Sequence, residues 1–428
     1  MSLPDRIEGP LEDWVMAQRW FASKSREVAS VTVLERIGLS ESPALEIELV
    51  ETRFQSGTHE LYQLLTGEED GLRQLAGMLG AEATVDGVSF HGGLEPTGDI
   101  RAMGAEQSNS SIVFGEQQVL KVFRRVEPGL HPELEMLRFL SERGFQNIAM
   151  LTGWYDYSGE LMQATLGIMQ EFIGGARDGW ELALDDPRGV LGRIPELGAA
   201  TGEMHSVLAS DTSDHAFTPE EPSAEALSLL TATIDEQIEQ VFLDLPSDDP
   251  AVAPIAGRGE EVRDRLQAMS HVGVGGRLIR HHGDYHLGQT MLAAGEGGRD
   301  DLRWIILDFE GEPARSLLER RRKRSPLRDV AGMLRSFAYA ASASELLRGV
   351  PAPQGWEEEA RSAFLETYLQ TVDASLLPAG RPATEKLLAI FELEKAVYEL
   401  RYELNNRPDW VSIPVAGIAR LLQEDDDD

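Results

Sequence analysis

The first readable pattern is LEDWVMAQRWF, whose apolar positions recur at helical spacing; VASVTVLERIGL, ALEIELVETRF and HELYQLLTG follow, with apolar residues alternating or clustered as in strands. These segments predict a small α+β unit over residues 1–95, closed by the turn-rich HGGLEPTGDIRAMGAEQS. SSIVF and QQVLKVF then flank Gly115 as a hairpin, and PELEMLRFLSERG reads as a helix with Pro132 at its start and Gly144 at its stop. After the strand-like LGIMQEFIGG the spacing turns helical. RIPELGAATGEMHSVLAS, LRDVAGMLRSFAYAASASELL and EKLLAIFELEKAVYELRYELNN are the clearest cases. The pattern predicts an α+β chain with a unit over 1–95, a small β-rich lobe over 96–175, a mainly helical lobe over 176–422 and an acidic tail over 423–428.

Bulk properties narrow the chemistry. A chain of 428 residues is long enough for two or three domains. It has no cysteine, so disulfides, thiolate nucleophiles and cysteine-bearing zinc sites are excluded. The start MSLPDRIEGPLEDW lacks the basic-then-apolar layout of a secretory signal, and no apolar run approaches the roughly 20 residues of a membrane span. A cytoplasmic, monomeric protein with no membrane partner is the expectation. The net charge of −34, from 73 acidic and 39 basic residues, repels nucleic acid. Against that background the run Glu319, Arg320, Arg321, Arg322, Lys323, Arg324 stands out; a solvated helix end is its plainest reading.

Three polar features interrupt apolar segments. Lys121 sits inside the strand VLKVF, and Glu135 on the helix that follows is a candidate counter-charge for an ammonium that faces phosphate. The polar turn Glu106 to Ser111, with Ser108 and Ser110, can offer N–H groups and hydroxyls to phosphate oxygens, although no GxxxxGK[ST] loop exists. In HHGDYHLGQT, Asp284 is followed by Gln289, and the apolar strand WIIL ends on Asp308. A strand-end carboxylate needs a positive partner, and oxygen ligands such as Gln289 and Asp308 suit Mg2+ with phosphate better than a transition metal. Asp284 is then the candidate base for an attacking hydroxyl. Zinc at His282 and His286 is disfavoured by the intervening Gly283; His282 reads as a loop-fixing residue and His286 as structural or substrate-facing.

HGDYHLGQ and DFEGEP, with the strand lysine and the glutamate-bearing helix, resemble the aminoglycoside phosphotransferase branch of the protein-kinase-like fold. QRWFASKSRE, EQSNSSIVFG, LKVFRRVEPG, ERRRKRSPLRDVAGMLRSFAYAA and YELNNRPDWVSIP resemble the maltokinases more closely. The resemblance spans nearly the whole chain. It implies a bilobal kinase-like fold with an N-terminal cap, and ATP and Mg2+ as cofactors. Lys121 would bind ATP phosphates with Glu135 beside it, and the hinge would run through Gln170 and Phe172. Asp284 would be the base, with Gln289 and Asp308 on the metal. Glu310 would assist the metal or orient Arg315. The acceptor expected from the resemblance is the anomeric hydroxyl of maltose, with glucosamine as the alternative.

The helix EKAVYELRYELNN puts Glu399 and Glu403 one turn apart, with Tyr398 and Tyr402 alongside and Trp410 just after. Carboxylates beside aromatic faces suit a saccharide, and equally an amino sugar, whose ammonium would pair with an acid. Phe391, Leu393 and Val397 on the same helix leave packing as the other role for the tyrosines.

Overall fold

The computed structural model describes residues 9–68, 70–92, 98–103, 109–246, 249–270, 276–295, 298–313 and 315–423. The expected boundary near residue 95, the candidate Ser108 and the acidic tail beyond residue 423 lie outside them. Helix α1 (Leu11–Ala17) is shorter than its sequence stretch, because Trp20 and Phe21 leave the helical path to pack with Val15, Val50 and Tyr62. The strands β1 (Val28–Glu41), β2 (Ala44–Phe54) and β3 (His59–Gly67) form an antiparallel meander. Their period-two alternation gathers Ile37, Leu39, Leu45, Ile47 and Leu49 with Leu72, Leu75 and Leu79 of helix α2 (Gly71–Gly80) in one core.

A second sheet uses β4 (Thr84–Val85), β5 (Val88–Gly92), β6 (Ile100–Ala102), β7 (Ser110–Phe114) and β8 (Gln118–Val122). The chain then passes through Phe123 and Arg124 into β9 (Arg125–Val126), which pairs with β3 and so joins the first sheet. Helix α3 (Pro132–Glu142), β10 (Leu151–Ser158) and β11 (Gln163–Glu171) complete this half, giving the order β4-β5-β10-β11-β8-β7-β6. Gln63 of β3 ties the two sheets together. Its fully buried amide donates to the carbonyls of Phe123 and Leu166 at 3.0 and 2.8 Å, and its oxygen accepts from the Tyr155 hydroxyl at 3.0 Å.

The chain divides into two compact units, Met1–Gly175 and Ala176–Asp428. In the second, β12 (Arg177–Asp178), β13 (Thr290–Gly295) and β14 (Gly298–Ile306) form a small antiparallel sheet. The remainder is helical: α4 (Gly179–Asp185), α5 (Pro187–Leu191), α6 (Ile194–Leu208), α7 (Ala224–Leu243) and α8 (Gly259–Ser270) come first. Then follow α9 (Leu317–Arg320), α10 (Leu327–Arg348), α11 (Trp356–Thr371), α12 (Arg381–Asn406) and α13 (Ser412–Gln423). The apolar stripe of α12, including Ile390, Leu393, Val397 and Leu400, packs with α7, α8 and α13. Helix α10 contacts α4, α11, α12 and α13 and is the hub of this unit. Among the described residues no helix is long and apolar enough to cross a membrane.

Because Gln63 satisfies two buried carbonyls, Gln63→Ala is expected to lower the unfolding free energy by about 2–3 kcal/mol. Urea denaturation measures it, and a change below about 0.5 kcal/mol would remove this joint from the stabilising interactions.

Candidate functional site

The segment HHGDYHLGQT runs irregularly from residue 281 to the short 3-10 turn Leu287–Gln289, so its backbone groups need partners from elsewhere. Helix α10 supplies them from one face. Asp329 accepts from His282 N at 2.7 Å through Oδ2 and from Gly283 N at 2.9 Å through Oδ1. One turn on, Gly332 admits the Tyr285 carbonyl; a Cβ there would lie 2.6 Å from that oxygen. Ser336 then accepts from Leu287 N at 3.2 Å. Positions i, i+3 and i+7 share a helix face, so a straight α10 templates the bent loop.

Asp329 is buried and also meets His205 Nε2 at 3.1 Å, whose Nδ1 is bonded to the Tyr368 hydroxyl. Burial pushes the Asp329 carboxyl up, but the His281 and His205 imidazoles outweigh it and hold the group well below the usual range. His282 accepts from Asp284 N at 3.4 Å through Nδ1, and its Nε2 donates to Leu307 O at 2.7 Å. The ring, between Tyr285 and Phe309, thus links the loop to the end of β14. Gly283 has a φ of +88° and lies against Gly311, a conformation and a closeness that side chains resist.

Beyond β14, Asp308 is held at a φ of +61°, which is costly for a residue with a Cβ and turns its carboxylate toward Gln289. Gln289 Nε2 donates to Asp308 Oδ2 at 3.3 Å, leaving the amide oxygen as an acceptor. Carboxylate oxygens of Asp308 and Glu310 lie within 4.8 Å of each other. Arg315 pairs with Glu312.

A cavity of about 820 Å³ gathers Asp284, His286, Tyr398, Glu399, Glu403 and Trp410, all singled out from sequence. The tyrosines are 44% and 45% exposed at Tyr398 and Tyr402, so they are cavity wall and not core. The two glutamates are less available than the sequence suggested. Arg335, buried on α10, donates through Nε and Nη2 to Glu399 Oε2 at 2.9 and 2.8 Å. Glu403 is clamped by Arg407 at 2.6 and 2.8 Å and accepts from Tyr339 at 3.1 Å. His286 Nδ1 accepts from Gly288 N at 3.1 Å, and burial holds the imidazole below its ordinary value against the pull of Asp284.

Sequence reading missed Asp178, Trp180, Tyr339 and Arg407 in this wall. Asp178 caps α4 by accepting from Glu181 N at 3.0 Å, and burial raises its carboxyl above the ordinary value. Among the described residues it meets no cation. Its one sequence signal is an aspartate three residues before Glu181 at a helix start.

In the first unit, Lys121 on β8 is mostly buried and pairs with Glu133 at 2.8 Å. Glu133 was not foreseen. It follows Pro132 in the first turn of α3, two residues before Glu135, and both carboxylates are buried. The Ser110 hydroxyl accepts from the buried Arg124 at 2.8 Å, so it points into the protein rather than offering itself to a phosphate. Gln170 donates to Ala149 O at 3.2 Å, and half-buried Phe172 lies beneath Arg101 and bonds through its N–H to Gln117 O at 2.8 Å.

Residues 14–90 match the model of the maltokinase N-terminal cap domain, and residues 99–364 that of the phosphotransferase enzyme family. The chain belongs to the phosphotransferase enzyme family. Its fold is of the aminoglycoside phosphotransferase and protein-kinase-like class, α+β, with an N-terminal cap and a helical C-terminal region. This phosphotransferase is similar to the glucosamine kinase of Streptacidiphilus jiangxiensis, 27% identical over 354 residues, 78% of this chain and 76% of that protein. With the glucosamine kinase of Mycolicibacterium smegmatis it shares 25% over 344 residues, 76% of this chain and 80% of that protein. Among solved structures it is similar to a glucosamine kinase in complex with glucosamine, ADP and inorganic phosphate, with a TM-score of 0.73 and 20% identity; 97% of this chain and 100% of that one are covered.

Burial lowers the His281 imidazole from 6.5 to about 4. The unfolded chain binds that proton near the ordinary value, so the stability it contributes is full above pH 6.5 and is lost as pH falls toward about 4. His281→Gln is expected to flatten the pH dependence of the urea midpoint in that window. An unchanged slope would assign the proton to another group. Asp329→Asn, which turns an amide N–H toward backbone donors, is expected to cost roughly 3 kcal/mol or more by the same measurement.

Proposed function

We propose that this phosphotransferase transfers the γ-phosphoryl group of ATP to a hydroxyl of glucosamine. The observation that carries the reading is the cavity beside Asp284, where Asp178 is a desolvated carboxylate without a cationic partner among the described residues. An ammonium on the sugar offsets that desolvation, whereas a neutral sugar leaves it uncompensated. The aromatic wall of Tyr398, Tyr402 and Trp410 suits the apolar faces of a sugar ring. The glucosamine kinase relatives support the same choice.

In this reading Asp284 orients the attacking hydroxyl and accepts its proton as the bond to phosphorus forms and the bond to ADP breaks. Glu399 and Glu403, fixed by Arg335 and Arg407, act as rigid acceptors for sugar hydroxyls, so little side-chain order is lost on binding. His286 and Trp410 complete the acceptor site. Lys121, held by Glu133 and flanked by Glu135, neutralises ATP phosphate charge, and Gln170 with Phe172 borders the base. The donor set of Asp308, Glu310 and the Gln289 amide oxygen is hard oxygen throughout and fits Mg2+. When bound, the ion would supply charge neutralisation on the phosphates. Maltose remains the second reading, favoured by the match of residues 14–90 to the maltokinase cap.

Purified protein with ATP and Mg2+ is expected to release ADP with glucosamine, and NMR of the product to show a phosphate ester with the amine intact. Turnover of maltose without turnover of glucosamine overturns the assignment. Asp284→Asn should lower kcat by roughly 10²–10⁴-fold while ADP affinity in calorimetry stays near wild type. Asp178→Asn should raise the KM for glucosamine about tenfold or more. Equal KM values in the Asp178 variant and the wild type would remove that residue from amine recognition.

A further inference from the structure

Next to the acceptor cavity lies a smaller one, of about 110 Å³, and Asp284, Tyr285, Lys395 and Tyr398 belong to both walls. Its other walls carry Arg315, Arg320, Arg324 and Arg328 alongside the carboxylates of Glu312, Glu319, Asp329 and Glu394, in a chain with 73 acidic and only 39 basic residues. Some of these cations are neutralised within the protein. Arg315 pairs with Glu312, and Arg328 with Glu394 at 2.8 Å. Arg324 and Lys395 differ. Arg324 is tied to Ile279 only through backbone hydrogen bonds, and among the described residues its guanidinium has no acceptor. Lys395 has no carboxylate partner among them either; its ammonium lies 5.5 Å from the ring centre of Tyr398. His281 also lines the cavity.

Unmatched cations converging on one space are costly unless an acceptor enters it. Burial lowers the Arg324 pKa, and repulsion from Arg328 and Arg315 lowers it further. An anion would relieve both effects. The space rules out a large ligand but holds a tetrahedral oxyanion with some water, since one water needs only about 10–15 Å³ on this measure. A phosphate dianion offers several strong acceptor oxygens and matches guanidinium and ammonium donors better than a carboxylate of single charge does.

We propose that this cavity is a binding site for a phosphate dianion, free or as a monoester, held by Arg324 and Lys395 and bordered by the Arg315 and Arg328 ion pairs. The shared wall at Asp284 and Lys395 puts the bound anion beside the acceptor cavity, so its occupancy bears directly on the group that faces the sugar. The basic run at 319–324 thereby gains a purpose through Arg324, its last member.

Isothermal calorimetry on the full chain, at constant ionic strength, tests this with inorganic phosphate in one arm and glucosamine 6-phosphate in the other. Saturable binding in either arm is expected, weakened about tenfold or more in Arg324→Gln and in Lys395→Gln. Arg322→Gln, an exposed arginine of the same run outside the cavity, should bind as wild type does. Binding of the ester alone makes the site one for product, and binding of free phosphate that also displaces the ester makes it one for the inorganic ion; each supports the shared chemistry. Absence of binding in both arms at millimolar concentration overturns the proposal, as does equal binding by wild type and Arg324→Gln. Thermal unfolding guards against a misfolded variant. In phosphate-free buffer Arg324→Gln should melt at or above the wild-type midpoint, because a repelled cation is gone, and phosphate should raise the midpoint of the wild type only. A phosphate-induced rise of the same size in both proteins counts against the site.

Discussion

Much of the second unit depends on one buried carboxylate. Asp329 has no solvent to hydrate it, and it is stable there because two backbone N–H groups and an imidazole converge on its two oxygens. The reverse dependence is as strong. The HHGDYHLGQT segment is irregular backbone in a protein interior, and it can be so only because a helix side chain takes up the donors that a sheet or helix would otherwise satisfy. Gly332 and Ser336 extend the same support by two turns. The position of Asp284 follows from this, since its own N–H is bonded to His282, and His282 in turn reaches Leu307 ahead of Asp308.

How far the sequence revealed this varied with the range of the interaction. The hairpin around Gly115 and the helix from Pro132 were legible because their signals are local, a turn glycine between β-formers and a proline at a first turn. Asp284, Gln289 and Asp308 were legible because polar groups at the ends of apolar segments are conspicuous, and the last two do meet. Lys121 was legible for the same reason, but Glu133, which pairs with it, was not. Helical phase and strand placement bring that carboxylate to the ammonium, and neither is written in spacing alone.

Asp178, Tyr339 and Arg407 escaped notice because nothing near them in sequence assigns them to one cavity. They come from three separated segments, and tertiary packing alone unites them. Asp329 lay within LRDVAGMLRSF, where one acid in an apolar helix passes for a solvent-facing residue. Packing also changed the meaning of residues that were noticed. Glu399 and Glu403 read as bare acids, yet each arrives with its own arginine, and their negative charge is largely spent inside the protein. In so acidic a chain this distinction matters, because charge that is already paired does not select a cationic ligand, whereas charge left unpaired does.

Helix α10 carries two sets of contacts on adjoining stripes of its surface. Asp329, Gly332 and Ser336 hold the loop of Asp284, while Arg335 and Tyr339 hold Glu399 and Glu403 on α12. A single rod therefore gauges the separation between the Asp284 carboxylate and the far wall of the cavity. The exposed rings of Tyr398 and Tyr402 stand outside that frame. A substitution there changes the cavity wall without recalibrating the rod. Changes to α10 itself disturb both ends at once, so the part of the wall formed by Tyr398 and Tyr402 is the part that can vary while the loop of Asp284 stays in place.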